Sequence, residues 1–295
     1  MKIAVIGDLM LDQYDLCKNR DNPESSGPCY KVERTEYKPG GAGNVAANLA
    51  KLGADMLLIG ALGEDENARV LTDSFQKLKI QNKTIVDKNR PTIVKQRILS
   101  AADGRYHFRL DREIIEEITE NHTAEIINAI KEYDLIIVSD YRKGVVSQGL
   151  MDALRATGKR IMVDTKSEHR DFYKGVFMIK PNASEAKKMA NMDDELAAAA
   201  KLKDELETNV LLTRGAEGIS YFGKNGERYD FAAAAEEHEV VDITGAGDTV
   251  IATFAHFLAK DYPIQECVRL ANKAAGIAVR YPGCYAVSEK EILGE

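Results

Sequence analysis

Short apolar runs closed by a glycine or an acid recur along this chain, and that recurrence narrows its fold more than any other feature. They are KIAVIGD (2–8), DMLLIGALG (55–63), DLIIVSD (134–140), RIMVD (160–164), VFMIKPN (176–182) and NVLLTRG (209–215). Longer stretches with helical spacing lie between most of them, such as NVAANLAKLG (44–53) and ENHTAEIINAIKEY (120–133). Strands without polar alternation need cover on both faces, so the pattern predicts a doubly wound, mainly parallel sheet in an α/β fold. The carboxyl ends of the strands in such a sheet carry the site.

Two regions break the pattern. PCYKVERTEY (28–37) and TIVKQRILSAADGRYHFRLDRE (92–113) alternate apolar and polar residues. In the second, Tyr106, Phe108 and Leu110 face one way, while Arg105, His107, Arg109 and Asp111 face the other, and ADG (102–104) supplies a hairpin turn. These segments predict a small antiparallel β lid, from about 13–38 and 92–112, inserted into a single domain spanning 1–295. A flap with one apolar face either covers a cleft or pairs with a second subunit.

The 295 residues carry a net charge of −7, which argues against a nucleic-acid partner but leaves room for a local basic pocket. The opening MKIAVIGD is too short an apolar run for a signal peptide, and no stretch approaches a membrane span. Cys17, Cys29, Cys267 and Cys284 are widely spaced and read as free thiols of a cytoplasmic protein with no membrane partner. The five histidines lack metal-ligand spacing and read mostly as surface residues.

VDITGAGDTV (241–250) places Gly245, Ala246 and Gly247 before Asp248, at the start of the apolar, helical VIATFAHFLA. A glycine turn opening a helix leaves free N–H groups and a positive dipole end, a ready anion site. Asp248 is then either an ordinary first-turn acid or a general base beside a transferring group. PGGAGNVAANLAKLGA (39–54) is a second such turn. Its Gly41-x-Gly43-x-x-Ala46 is a variant of the dinucleotide fingerprint, but it follows charged, alternating sequence rather than the first buried strand. The turn instead brings Asn44 and backbone close to a small ligand. Asp8 and Asp12, just past the first strand, are suited to accept hydrogen bonds from sugar hydroxyls. In KPNASE (180–185), Asn182 and Glu185 are spaced either as a capping box or as a water-mediated Mg²⁺–phosphate contact. LTRGAEG (212–218) is a further strand-to-loop glycine turn.

Taken together and in this order, these motifs resemble the PfkB (ribokinase-like) carbohydrate kinases. Asp242-x-Thr244 followed by GAGD matches the family's C-terminal signature, and PGGAGNVAANLAKLGA with IGALGEDENAR its N-terminal one. PNASE matches its Asn-x-x-Glu motif and TRGAEG its nucleotide-loop motif. GDLMLDQY, NPESSGP, SDYRKG and DITGAGDTVIA look most like the branch acting on D-glycero-D-manno-heptose 7-phosphate in ADP-heptose synthesis.

The resemblance implies an ATP-dependent kinase in which Asp248 takes the proton of a sugar hydroxyl, O1 of the heptose phosphate in that branch. The N–H groups of Gly245, Ala246 and Gly247 would hold the developing charge. The sugar would lie over Asp12, Gly41 and Asn44 under the lid, its phosphate among cations such as Lys95, Arg97, Arg105, Arg109, Arg142 and Lys143. ATP would cross Lys180, Asn182, Ala183, Ser184, Glu185, Thr213, Gly215, Gly218 and Asn272, with Mg²⁺ reached from Glu185 through water. A homodimer through the lid is expected, and the kinase activity alone, because bifunctional members continue into a nucleotidyltransferase domain. Three alternatives stay open: another PfkB kinase of the ribokinase or fructokinase type, a non-catalytic sugar-binding homologue, and an NAD(P)-binding oxidoreductase.

Overall fold

A computed structural model describes residues 1–294 and holds two separate sheets. The strands are β1 (Ile3–Gly7), β2 (Leu9–Arg20), β3 (Cys29–Gly41), β4 (Met56–Leu62), β5 (Gln81–Val86), β6 (Ile93–Ser100), β7 (Tyr106–Arg112), β8 (Leu135–Ser139), β9 (Arg160–Asp164), β10 (Met178–Lys180), β11 (Asn209–Thr213), β12 (Ile219–Phe222) and β13 (Arg228–Phe231). The helices are α1 (Ala42–Lys51), α2 (Glu66–Lys77), α3 (Glu120–Ala129), α4 (Gln148–Ala156), α5 (Ala183–Ala190), α6 (Glu195–Glu205), α7 (Ala246–Ala259), α8 (Ile264–Ala278) and α9 (Glu289–Leu293).

The larger sheet has the order β13-β12-β11-β10-β9-β8-β1-β4-β5. It is parallel from β5 to β11, and all six apolar runs of the sequence lie in that stretch. One face carries a core that includes Val5, Leu58, Ile137 and Met162 against α1, α7 and α8, and the other packs Ile6, Val138 and Val163 against α4 and α6. Burial on both sides is why these strands show no polar alternation. The chain runs from β1 outward through β4 and β5, then returns to β8 on the other side, so the order reverses between β1 and β8. A ligand cleft is expected outside the strand ends at such a reversal.

The smaller sheet has the order β3-β2-β6-β7. β2 leaves β1 after Asp8 alone, so the lid grows directly out of the central strand. The sheet is mixed rather than purely antiparallel, because β2 and β6 pair in parallel. The hairpin joining β6 and β7 forms where ADG stands, with Gly104 at φ 71. His256 departs from the surface reading: it is 5 % exposed on α7 and hydrogen-bonded to Glu289 at 2.8 Å. All four cysteines are free. No helix among the described residues is long and apolar enough to cross a membrane.

Candidate active site

Two glycine-capped helices meet at the reversal point. Gly41 (φ 58) precedes α1 and Gly245 (φ 78) precedes α7, both in the left-handed region that disfavours a side chain. A Cβ on Gly41 would stand 2.3 Å from the Asp8 carbonyl oxygen, and one on Gly245 would stand 2.7 Å from Asn44 Nδ2. The chain therefore passes here only as glycine. Asn44 and Asp248 occupy the third position of their helices and touch: Asn44 Nδ2 donates to Asp248 Oδ2 at 2.6 Å. Thr249, the next residue, donates its Oγ1 to Oδ1 of Asn48, one turn further along α1, at 3.1 Å, tying the helices together again.

Asp248 is 4 % exposed. Tyr141, just past β8, donates its hydroxyl to Asp248 Oδ1 at 3.1 Å. Burial, helped by the neighbouring Asp164 carboxylate, pushes the Asp248 carboxyl up to about 7, against the pull of Asn44, Lys180 and Tyr141. A carboxyl poised there can take a proton near neutral pH and release it again. In the turn beside it, the Ala246 N–H already donates to the Ile243 carbonyl at 3.2 Å. The N–H groups of Gly245 and Gly247 have no protein acceptor among the described residues, and these two remain free to meet an anion. Cys284 lies against the same turn, 3.0 Å from where a Gly245 Cβ would be. Its thiol is pushed up to about 12, chiefly by burial and then by Asp248 and Asp12, so it stays protonated and unreactive.

A cleft of about 1290 Å³ opens from this turn across the ends of β9, β10 and β11. It gathers Lys180, Asn182, Ala183, Ser184, Glu185, Thr213, Gly215, Gly218 and Asn272 with Gly245, Ala246, Gly247 and Asp248. These segments are far apart in sequence and line one cleft. Lys180 Nζ pairs with Asp164 at 2.9 Å and would lie 3.0 Å from a Gly247 Cβ, so a cation stands beside the glycine turn. Asn182 and Glu185 form the full capping box of α5, and Lys166 Nζ bonds the other Glu185 oxygen at 3.0 Å. Asn272 Nδ2 donates to the Ala232 carbonyl at 2.7 Å, shaping the far wall. Mg²⁺ favours oxygen donors and keeps several waters, taking one or two carboxylates together with substrate phosphates. Asp164 and Glu185 present that chemistry on the cleft. Because both Glu185 oxygens are engaged, a water-mediated contact suits it better than a direct one.

The lid turns a charged face to the other side of Asp248. Asp12 opposes Lys38 on β3 and Lys95 on β6, Lys95 opposes Asp111 on β7, and Arg97 opposes Arg109. Arg97 Nη1 bonds Asp12 Oδ1 at 2.6 Å and its guanidinium lies over the Tyr14 ring, 5.1 Å from its centre. Lys38 Nζ would lie 2.7 Å from a Cβ on Gly283, in the loop that carries Cys284. Arg109 shares this face but is bonded to Asp111 at 2.7 Å and partly exposed. The remaining basic candidates divide: Lys143 reaches Glu113 at 2.8 Å, Arg142 pairs with Glu168 at 3.3 Å, and Arg105 is exposed at the hairpin.

Asp8 does not face a sugar. It is 1 % exposed and accepts the N–H groups of Tyr141 (2.8 Å), Lys143 (3.0 Å) and Val145 (3.0 Å), locking the loop after β8 to the end of β1. The dinucleotide reading also weakens, because Gly41-x-Gly43-x-x-Ala46 follows the lid strand β3 rather than β1. Tyr141, Lys38, Asp164 and Lys166 were not singled out in the sequence, since each gains its place only through partners distant along the chain.

Residues 1–291 match the model of the pfkB family of carbohydrate kinases. The chain is 35 % identical to a bifunctional protein HldE of Trichlorobacter lovleyi over 99 % of its own length, but spans only 62 % of that relative. It is 32 % identical to a D-beta-D-heptose 7-phosphate kinase of Bordetella bronchiseptica, covering all of this chain and 96 % of the relative. Among solved structures, phosphofructokinase-2 of Escherichia coli aligns at a TM-score of 0.83 with 19 % identity over 99 % of this chain and 97 % of that one. A ribokinase of Arabidopsis thaliana aligns at 0.78 with 20 % identity, again over 99 % and 97 % of the two chains. At those identities the structures speak for the fold, which is ribokinase-like, while the family match and the sequence relatives reach further: this chain belongs to the pfkB family of carbohydrate kinases.

Proposed function

We propose that the protein transfers the γ-phosphoryl group of ATP to a sugar hydroxyl, and that its sugar is D-glycero-D-manno-heptose 7-phosphate, phosphorylated at O1. The observation that carries this reading is the position of Asp248, buried at the glycine turn between a nucleotide-sized cleft and a basic lid face. ATP lies across the cleft, its terminal phosphate at the Gly245–Gly247 turn beside Lys180. The sugar lies over Asp12 and Asn44. Its hydroxyl gives a proton to Asp248 while its oxygen bonds to the γ-phosphorus and the bond to the leaving ADP oxygen breaks. Each Asp248 oxygen accepts one protein donor, and a carboxylate has about four acceptor sites, so room remains for the substrate hydroxyl. Mg²⁺, held from Asp164 and Glu185, would neutralise phosphate charge. The chain's own part is positioning and electrostatic stabilisation, so no covalent nucleophile is needed.

A substrate phosphate at the sugar's far end suits Lys38, Lys95, Arg97 and Arg109 on the lid, in a protein whose net charge is otherwise −7. Charge-assisted pairs to phosphate are among the stronger polar contacts. Arg109→Ala is expected to raise KM for the sugar phosphate well over tenfold, roughly the loss of one such contact, and to leave KM for ATP nearly unchanged. The deciding experiment is ADP release with Mg-ATP across a panel of sugars and sugar phosphates. Preference for an unphosphorylated hexose or pentose, with Arg109→Ala silent, would move the protein to a ribokinase or fructokinase type and leave the kinase reading intact.

The lid's opposite face supports a homodimer. Phe108 and Leu110 on β7 and Tyr37 on β3 alternate away from the cations and are 38 %, 47 % and 45 % exposed, apolar side chains at both edges of the sheet. Sedimentation is expected to give a dimer that Leu110→Lys dissociates. A monomer at every concentration would sink this part of the reading.

A further inference from the structure

Tyr141 holds the best-defined contact to Asp248 that the transfer, as described, leaves without a task. Its backbone N–H is fixed by Asp8 Oδ2 at 2.8 Å, so the residue is anchored where β1 and β8 part. Two ammonium groups lie over its ring: Lys95 from the lid, 5.5 Å from the ring centre, and Lys166 from the nucleotide side, 5.0 Å away. Attraction between a cation and a ring face helps hold the ring in place. The hydroxyl then meets Asp248 Oδ1, while Asn44 holds Oδ2. With both oxygens engaged, the carboxylate plane cannot rotate freely, and an attacking hydroxyl finds it already aimed.

We propose that Tyr141 is a positioning residue for phosphoryl transfer, orienting the Asp248 carboxylate from the sheet side as Asn44 does from the helix side. The inference rests on Asp248 being the proton acceptor. Tyr141 does not exchange the proton itself, because its phenol is held well above its ordinary range, chiefly by burial and then by the Asp248 and Asp164 charges. A phenol that stays protonated is a permanent donor. It favours the charged form of the carboxylate, as does Asn44, and works against the burial that raises it. The other charged or titratable groups around Asp248 are Asp164 on β9, Lys180 on β10 and Cys284 after α8, and none of them replaces the donor that Tyr141 supplies.

The test is Tyr141→Phe, which keeps the ring and its contacts with Lys95 and Lys166 and removes only the hydroxyl. The pH dependence of kcat should show an acid limb as Asp248 deprotonates in the substrate complex. In Tyr141→Phe, kcat is expected to fall about tenfold or more through lost alignment, with both KM values within about threefold of the parent. The acid limb should move to higher pH by about 0.5–1, because the carboxylate has lost a donor that favoured its charge. Melting temperature and Mg-ATP binding, measured on the same sample, report whether the fold and cleft are intact. An unchanged limb, whether or not kcat falls, would overturn the positioning role, since a merely structural residue lowers activity without moving a titration. Failure of the underlying reading looks different: Asp248→Asn would then turn over like the parent and retain the parent's acid limb.

Discussion

Asp248→Asn should lower kcat by about 10²-fold or more, the usual share of a general base, while Mg-ATP and sugar still bind. The same change should make the protein more stable at neutral and alkaline pH. Burial pushes the Asp248 carboxyl up from its ordinary 3.8 to about 7 in the folded chain. The folded state therefore holds the proton more tightly than the unfolded one. As pH rises above about 4 the unfolded chain ionises first, so this group's contribution to stability drains away between about 4 and 7 and stays lost above that. The amide avoids that loss, and its fit is reasonable: its oxygen can accept from Asn44 while its nitrogen donates to the Tyr141 oxygen, which has lone pairs to offer. Thermal unfolding at several pH values should show Asp248→Asn melting higher than the parent at pH 8, with the gap closing near pH 4. A variant that is no more stable at pH 8 would mean the carboxyl is not strained. A variant with parental turnover would reduce Asp248 to an acid that merely suits a helix start.

Parts of this site are visible in the sequence because their logic is local. A glycine turn followed by an apolar helix is read from adjacent residues, and so are the Asn182–Glu185 capping box and the glycines of TRGAEG. The central strands are equally plain, since burial on two faces removes their polar positions. Other strands are not. QNKTIV forms the edge strand β5 with most of its residues exposed, and β12 and β13 are antiparallel strands of four residues each, too short for a period to show. The parallel pairing of β2 with β6 joins segments some eighty residues apart, and nothing local reports its register. The same holds for single residues. Asp8 and Asp12 look alike beside the first strand, yet one is locked by three backbone N–H groups and the other faces Arg97. Tyr141 follows an acid at a strand end, a place where site residues gather, but only the position of α7 reveals that its hydroxyl has a partner.

Gly245→Val should damage turnover more than any other change in the glycine turn. Gly245 sits at φ 78, where a β-branched residue is strained in any surroundings. Its new Cβ would also fall 2.7 Å from Asn44 Nδ2 and 3.0 Å from Cys284 Sγ. Relief requires Asn44 to withdraw, which releases Asp248 Oδ2, or the turn to tilt, which re-aims the N–H groups toward the cleft wall. The first also loosens the sugar held over Asn44, while the second falls on the transition state, where losing one such donor typically costs about 3–4 kcal/mol, or 10²–10³ in kcat. Gly247→Ala is the informative contrast. Its Cβ would stand 3.0 Å from Lys180 Nζ, the end of a side chain rather than backbone, with Asp164 Oδ2 next at 3.9 Å, and φ there is not in the left-handed region. That variant should keep most of its activity, with its deficit appearing at the ATP phosphates rather than at the sugar. Sugar binding, nucleotide binding and kcat measured for the two variants together separate the outcomes. If Gly245→Val loses sugar affinity and turnover in equal proportion, the defect is misfolding. If Gly247→Ala proves the more damaging of the two, Lys180 rather than the left-handed turn governs the transferred phosphate.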